Sequence, residues 1–502
     1  MGSSQFILVI DEGTTGTRAL IVDESAAIKA QAYTEFTQYH PAPDRVEHDA
    51  EEIWDKTLAM VKQALSEAGL TASDIAAVGI TNQRATTVVW DKATGKPITK
   101  AIVWQDTRTA GYIEEIRADW ADKVYSATGW AMSPVYSSLM IKWILDNVPG
   151  ARVRADRGEL LFGTIDTWLI WKLTGGKVHA TGYSNVSVTG SYDLTNLRWY
   201  GEWLEFLGIS RSMLPEVRDD SGSFGSTDPA LFGAAIPITA AVADQHAALF
   251  GQGCLEAGTV KCTHGTGTFL DMNIGPDPVV SKNGINTVIA WKMGDQIRYA
   301  LEGYAAVTGS AVQWLRDGAG LIASSAETEA LAVSVPDNGG VYFVPALTGL
   351  SAPYWDSFAR GMIIGISRGT TRAHLVRACL EGIVYSTRDF LETMRRDAGV
   401  AIRSVRVDGG ASRNNFLMQF QADILQAESV RPLSAEATSL GAAFMAGLAV
   451  GYWSSPAECL KTQSVDRVFA PDMAPDQVAS LYADWTRAVG RAAGWTRPGA
   501  TN

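Results

Sequence analysis

The feature that most constrains the fold is a strand–loop–strand unit that occurs twice. The first copy places the loop at residues 11–18 (DEGTTGTR) between the apolar runs FILVI and ALIVD. The second copy, residues 259–270 (TVKCTHGTGTFL), repeats the order of strand, Gly-Thr loop and strand in the other half of the chain. Loops of this kind present backbone N–H groups and hydroxyls to an anion. Two copies indicate two similar units that could clasp one anionic ligand from both sides.

Length and composition agree with two domains. The chain has 502 residues, of which 46% are hydrophobic, and this exceeds what a single core usually holds. No low-complexity linker separates the halves, so we place the boundary just before the second unit, with domains at residues 1–249 and 250–502. Short apolar strands that end in polar residues alternate with helical patterns, which is typical of α/β sheets that bind ligands at their strand ends.

Charge and cysteine usage exclude several classes of protein. The net charge of −12 argues against nucleic acid and anionic membranes as partners. The scattered positions of Cys254, Cys262, Cys379 and Cys459 fit neither a disulfide framework nor structural zinc. The N-terminus enters a strand without a basic leader, and the apolar stretch 440–453 is too short to span a bilayer. We therefore expect a cytoplasmic protein that does not bind membranes.

A third segment, residues 405–417 (VRVDGGASRNNFL), predicts a strand, a Gly-Gly turn and a helix. The start of such a helix can receive a nucleotide, because its first N–H groups are free and its dipole favours negative charge. Either Gly-Thr loop alone would fit an ordinary hairpin. The combination of all three segments predicts a nucleotide-binding protein.

The chain resembles the FGGY carbohydrate kinases, and within them the glycerol kinase branch, from residue 7 to about residue 450. The resemblance is carried by ITNQR (80–84), AIVWQDTR (101–108), LLFGTIDTWLIWKLTGG (160–176), ADQHAALFGQ (243–252), GMIIGISRGTTRAHLVRACLE (361–381) and RVDGGASRNNFLMQFQADIL (406–425). It implies an α/β fold of two similar actin/Hsp70/hexokinase-like (ribonuclease H-like) domains that flank a central cleft. It also implies phosphoryl transfer from ATP with Mg²⁺, and it suggests a homodimer.

Phosphoryl transfer requires positioning and charge neutralisation more than covalent chemistry. Asp244 follows an apolar run and begins a helical segment, so its carboxylate could be the general base or simply an N-cap. The resemblance favours the catalytic role, and it implies that Asp11 acts through Mg²⁺, directly or through water. It assigns contacts with the nucleotide and its phosphates to Thr14, Thr15, Arg18, Gly265, Thr266, Gly309, Gln313, Gly410 and Asn414. For Gly309, close helix packing is an equally good explanation.

The acceptor site departs from the family pattern. The resemblance assigns polyol binding to Arg84, Trp104, Asp244, Gln245 and Phe269. However, Ala85 and Val135 stand in this site where glycerol kinases carry a glutamate and a tyrosine, and Met140 replaces a lysine of the family signature. Tyr136 is one position out of register, and the sequence leaves open whether it compensates for the missing tyrosine.

These departures predict a changed acceptor. A glycerol hydroxyl left without a partner would cost about 1–3 kcal/mol, and the freed space suits a longer chain. We therefore expect an ATP-dependent kinase that phosphorylates a primary hydroxyl of a four- or five-carbon polyol. The alternatives are a glycerol kinase with water-bridged contacts and a nucleotide-dependent binding or sensor protein of the same fold. Retention of Asp11, Asp244 and both phosphate hairpins argues against the sensor. His246 could reach the substrate or tune Asp244, but we expect it, like His264, to be a hydrogen-bonded packing residue.

Overall fold

The computed structural model describes residues 5–305, 307–434 and 436–497. Its strands are β1 Phe6–Glu12, β2 Gly16–Val22, β3 Ile28–Glu35, β4 Glu47–His48, β5 Ile75–Asn82, β6 Val88–Asp91, β7 Ala101–Ile102, β8 Leu160–Gly163, β9 Ala180–Gly182, β10 Tyr192–Asp193, β11 Arg198–Trp199, β12 Glu216–Arg218, β13 Ile238–Ala243, β14 Thr259–His264, β15 Thr268–Gly275, β16 Asn286–Met293, β17 Gln296–Ala305, β18 Tyr342–Val344, β19 Met362–Ile364, β20 Ser404–Asp408, β21 Glu428–Pro432 and β22 Val465–Phe469.

The α-helices are α1 Ala50–Ala68, α2 Ala110–Thr128, α3 Ser137–Asn147, α4 Ala151–Asp156, α5 Ile165–Leu173, α6 Tyr183–Ser187, α7 Gly201–Phe206, α8 Pro229–Phe232, α9 Asp244–Gly251, α10 Gly309–Gln313, α11 Glu327–Val333, α12 Arg372–Ala398, α13 Asn415–Leu425, α14 Ala437–Ala449, α15 Pro456–Lys461 and α16 Pro475–Ala492. Among the described residues, every helix is too short or too polar to cross a lipid bilayer.

The two large sheets repeat one topology. The first has the order β13-β5-β1-β2-β3, in which β1, β2 and β3 pair antiparallel while β5 and β13 join in parallel. Within the seven-stranded second sheet, β21-β20-β14-β15-β17 has the same order and the same strand directions. The repeated Gly-Thr hairpins are therefore the first hairpin of each sheet. The predicted pair of similar α/β domains is confirmed at the level of strand order.

Two helices cross between the sheets. Helix α9 continues directly from β13, and α14 packs against α9 and against β1, β5 and β13. At the crossing, a Cβ atom on Gly441 would lie 1.8 Å from the carbonyl oxygen of Ala247, and one on Gly251 would lie 2.0 Å from that of Ala437. Only glycine allows this backbone contact. Helix α14 therefore completes the core of the first domain although it lies far beyond our proposed boundary at residues 249 and 250.

Candidate active site

Both Gly-Thr hairpins expose their tips. Thr15 is exposed between β1 and β2, and Gly265 and Thr266 are exposed between β14 and β15. In the first hairpin, Trp104 Nε1 donates a hydrogen bond to Thr14 Oγ1 at 3.0 Å. This bond joins a residue predicted to bind phosphate to one predicted to bind the acceptor, so the two parts of the site are contiguous.

Asp11 and Arg18 form an ion-pair network at the base of the first hairpin. Arg18 Nη2 donates to Asp11 Oδ2 at 2.7 Å, and Arg18 Nη1 donates to Glu436 Oε2 at 2.7 Å. Ser439 Oγ also donates to Asp11 Oδ2, at 2.6 Å. In this state Arg18 already has two carboxylate partners, so a phosphate would have to share or replace one of them. The predicted phosphate contact of Arg18 remains a proposal.

Asp11 has the chemistry of a Mg²⁺ ligand. Both hydrogen bonds that it accepts from the described residues use Oδ2. Mg²⁺ is commonly held by one or two carboxylates together with substrate phosphates. Among the described residues, no group of three His, Cys, Asp or Glu side chains could hold a metal by itself. The residues therefore fit a metal that is held partly by the nucleotide.

Asp244 is placed for proton transfer. It is the first residue of α9, whose N-cap position is occupied by Ala243. The backbone N–H of Gln245 donates to Asp244 Oδ1 at 2.7 Å, and Arg84 Nε lies 3.4 Å from the same oxygen. Burial raises the pKa of the Asp244 carboxyl, while the Arg84 charge opposes this shift. Because 32% of its side chain stays accessible, Asp244 could accept a proton from a ligand in the cleft.

Arg84 connects the two domains at the floor of the cleft. Its Nη1 and Nη2 donate to the two carboxylate oxygens of Glu302 on β17, the second bond being 3.2 Å long. The side chains of Arg84 and Glu302 are only 14% and 11% exposed. The Arg84 guanidinium also lies 5.8 Å from the ring centroid of Trp130. Sequence reasoning missed Glu302, although a charged residue inside the apolar strand YALEGYA was a usable signal.

Gln245 is held by a second buried charge. Lys261 Nζ on β14 donates to Gln245 Oε1 and to Asp271 Oδ2, the latter at 3.1 Å. Lys261 pairs with Asp271 across β14 and β15, and Asp271 pairs with Glu302 across β15 and β17. Directly paired residues point to the same face of a sheet. Lys261, Asp271 and Glu302 therefore form a charged row that positions Gln245 and Arg84, and sequence reasoning missed this row.

The altered acceptor positions lie at the same end of the first domain. Ala85 is buried with a φ of 61°, and its carbonyl oxygen accepts a hydrogen bond from Ser137 Oγ at 2.9 Å. Val135 is half-buried in the turn before α3. Tyr136 is fully buried and donates its hydroxyl proton to the carbonyl oxygen of Trp130. Tyr136 is therefore a core residue that does not replace the missing tyrosine, and Met140 is likewise buried.

The second domain contains a cavity of about 620 Å³ beside its Gly-Thr hairpin. It is lined by all six residues predicted there for the nucleotide: Gly265, Thr266, Gly309, Gln313, Gly410 and Asn414. The N–H of Gly309 donates to the carbonyl oxygen of Gly265 at 3.0 Å, so its close packing and its place in the cavity are compatible. Asn414 caps α13 by accepting from the N–H of Leu417 at 2.9 Å. A larger open depression of about 1410 Å³ around Trp199 contains none of these residues.

The two histidines near the site have different surroundings. His264 is buried and hydrogen-bonded to Thr268 Oγ1 at 2.9 Å and to Gln421 Oε1 at 2.6 Å, as expected of a packing residue. His246 is buried, but neither ring nitrogen has a hydrogen-bond partner among the described residues. Burial and the nearby charges of Arg84 and Lys261 hold the pKa of His246 well below its usual value. The expected hydrogen bonding of His246 is therefore wrong for this structure.

Comparison with known proteins identifies the family. The models for the N-terminal and C-terminal domains of the FGGY family of carbohydrate kinases match residues 6–251 and 260–450. The chain belongs to the FGGY family of carbohydrate kinases. This match confirms the expected kinase class and the expected two-domain, actin-like fold around a cleft.

Similar proteins include several named glycerol kinases. Glycerol kinase 2 of Thermotoga maritima is 51% identical over 494 residues, which is 98% of this chain and 100% of the relative. The glycerol kinase of Carboxydothermus hydrogenoformans is 52% identical over 495 residues, with 98% and 99% covered. The crystal structure of Plasmodium falciparum glycerol kinase with ADP has a TM-score of 0.93 and 34% identity, covering 98% of this chain and 99% of that chain.

Proposed function

We propose that this FGGY kinase transfers the γ-phosphoryl group of ATP to a primary hydroxyl of a four- or five-carbon polyol. The observation that carries the acceptor part is the pair of positions Ala85 and Val135. Neither side chain offers a hydrogen bond, and the nearest tyrosine, Tyr136, is buried in the core. The residues expected to hold the reacting end of a polyol remain in place.

The chemistry follows from the arrangement of the cleft. Asp244, with its raised pKa, accepts the proton of the attacking hydroxyl. Arg84, held by Glu302, and Gln245, held by Lys261, orient the neighbouring hydroxyls. The two hairpin tips contact the phosphates from opposite domains, and the cavity beside Gly309 receives the rest of the nucleotide. Asp11 would hold Mg²⁺ together with the nucleotide phosphates, and the metal would supply neutralisation of the phosphate charge.

The preferred length of the acceptor depends on two hydrogen bonds that Ala85 and Val135 cannot make. Each glycerol hydroxyl that finds no protein partner costs about 1–3 kcal/mol of binding free energy, whereas the side chains of Ala85 and Val135 are smaller than a glutamate and a tyrosine and would leave room for the additional carbons of a longer polyol. Hydrogen-bonding sites discriminate more strongly between substrates than apolar volume does. The combination favours an acceptor whose reacting end resembles glycerol but whose far end is longer.

Glycerol itself is the second candidate. It is favoured by the identity of about 51% over nearly the whole chain to proteins named glycerol kinase. In that case, ordered water would bridge the lost contacts beside Ala85 and Val135.

A competition assay separates these acceptors. ADP release and product identity should be measured with glycerol, erythritol, both threitols, ribitol and xylitol. We expect a four- or five-carbon polyol to give the highest kcat/KM. If glycerol gives the highest value, the protein is a glycerol kinase. If no polyol raises ADP release above the rate with ATP alone, the binding or sensor alternative is favoured.

Two double variants test whether Ala85 and Val135 cause the proposed preference for a longer polyol. The double change Ala85→Glu and Val135→Tyr should move preference toward glycerol by restoring hydrogen-bonding groups and removing space. The matched control, Ala85→Glu with Val135→Phe, restores volume without the hydroxyl. Equal behaviour of the two double variants would assign the effect to volume alone.

A further inference from the structure

Tyr304 packs against Phe269, a residue predicted to bind the acceptor. It lies on β17 directly opposite Phe269 on β15, and their ring centroids are 4.5 Å apart with an interplanar angle of 36°. The Tyr304 residue is 43% exposed. Its hydroxyl makes no hydrogen bond with any described residue, so a donor and an acceptor remain available at a fixed place.

Neighbouring residues locate this hydroxyl relative to the reaction. Tyr304 is two residues from Glu302 on the same strand, so both side chains project from the same face. Glu302 holds Arg84, and Arg84 reaches Asp244. On the other side, a Cβ atom on Gly267 would lie 2.6 Å from Tyr304 Cε2, so the phosphate hairpin packs against the ring. Tyr304 thus lies between the acceptor-binding charges and the phosphate hairpin.

We propose that Tyr304 is a specificity-determining residue of the acceptor site, and that its hydroxyl hydrogen-bonds a hydroxyl at the far end of a linear polyol. This inference rests on the proposed function of the same site. The Tyr304 hydroxyl would supply a hydrogen-bonding group in a site where the side chains of Ala85 and Val135 offer none. This role explains why a tyrosine is exposed at that position. Contacts with Phe269 and with the backbone at Gly267 restrict the ring, so less side-chain entropy is lost when the hydroxyl binds.

The duplicated fold provides a matched control. In the first domain, Tyr33 on β3 lies opposite Arg18 on β2, at the position equivalent to Tyr304. A Cβ atom on Gly16 would lie 2.8 Å from Tyr33 Cε2, which repeats the packing of Gly267 on Tyr304. Tyr33 is 53% exposed but has no aromatic partner equivalent to Phe269. Tyr33→Phe therefore makes the same chemical change at the same type of position in the other domain.

The test is Tyr304→Phe, which removes the hydroxyl and keeps the ring that packs against Phe269. We expect the ratio of kcat/KM for the preferred longer polyol to kcat/KM for glycerol to fall about ten-fold or more, with the KM for ATP unchanged. Dissociation constants of the same polyols provide a readout that does not depend on turnover. A ratio within about two-fold of the unmodified protein, or an equal change in Tyr33→Phe, would overturn the inference.

Failure of the inference and failure of the proposed function give different results. If the unmodified protein prefers glycerol, the proposed preference for longer polyols is wrong. The Tyr304→Phe variant still tests the role of Tyr304 in that case. If the hydroxyl contacts the acceptor, its removal must change the ratio of kcat/KM values among the polyols. An unchanged ratio in Tyr304→Phe together with a preference for longer polyols would reject Tyr304 alone.

Discussion

The ion pair between Arg84 and Glu302 should control both acceptor binding and the general base. Glu302→Gln keeps the size of the side chain and one acceptor oxygen but removes the charge and half of the forked contact. Hydrogen bonds to charged groups contribute about 1.5–3 kcal/mol each, and both side chains are largely buried. We therefore expect kcat/KM for the polyol to fall about ten- to hundred-fold. The KM for ATP should change little, because Glu302 does not line the cavity proposed to bind the nucleotide.

The same substitution should change the pH dependence. Without the Glu302 charge, the Arg84 guanidinium acts more strongly on Asp244, 3.4 Å away, and lowers its pKa. A base must be deprotonated to act, so the acid side of the profile of kcat/KM should move to lower pH. Steady-state assays across pH measure both effects.

Glu381→Gln is the matched control for this experiment. Glu381 accepts from Arg377 Nε and Asn338 Nδ2, both at 2.8 Å, in a buried pair outside the predicted site. This variant should lose stability without a change in acceptor kcat/KM or in pH profile. The reasoning would be refuted if both variants lost the same amount of acceptor kcat/KM. It would also be refuted if the acid side of the pH profile stayed in place in Glu302→Gln.

Two further predictions concern Asp244 and Glu12. Asp244→Asn should lower kcat about 10²–10⁴-fold while ATP binding, measured by calorimetry, is retained; near-normal turnover would place the base elsewhere. Burial raises the pKa of Glu12 from 4.5 to about 8, so between these values the folded protein binds a proton that the unfolded chain releases. The free energy of unfolding should therefore decrease as pH rises through this window, by up to about 1.4 kcal/mol per unit. Glu12→Gln should lack this contribution in urea unfolding at pH 5 and pH 8, and equal pH dependence in both proteins would contradict it.

Local features of the site could be predicted from the sequence. The two hairpins were recognisable because strand, Gly-Thr loop and strand are contiguous, and the strand, Gly-Gly turn and helix predicted at residues 405–417 are contiguous in the same way. Four of the six residues that line the proposed nucleotide cavity, Gly265, Thr266, Gly410 and Asn414, lie in two of these local segments, whereas Gly309 and Gln313 were assigned by the family resemblance alone. The backbone geometry of such a segment is determined by residues that are adjacent in the sequence, so the segment can be recognised without knowledge of the rest of the fold.

Contacts between domains were not predictable in this way. Arg84 and Glu302 are 218 residues apart; Arg84 follows β5 of the first sheet and Glu302 lies on β17 of the second, so no local pattern joins them. Helix α14 illustrates the same limit, because its position in the chain suggests the second domain while its apolar surface packs on the first sheet. Its sequence, ATSLGAAFMAGLA, is apolar on nearly every side, which indicates a buried helix but not which sheet covers it.

The contact between α9 and α14 links the helix that begins with Asp244 to the helix that contacts Asp11. Helix α9 begins with Asp244, and the first residues of α14 include Ser439, which donates to Asp11 at 2.6 Å. The helices touch through backbone at Gly251 and Gly441, where no side chains interlock. Because small shifts of packed helices are a common basis of domain closure, a movement at this contact would be transmitted both to Asp244, the proposed base, and to Asp11, the proposed Mg²⁺ ligand. The strict need for glycine at the crossing is thus a requirement of the active site as well as of the fold.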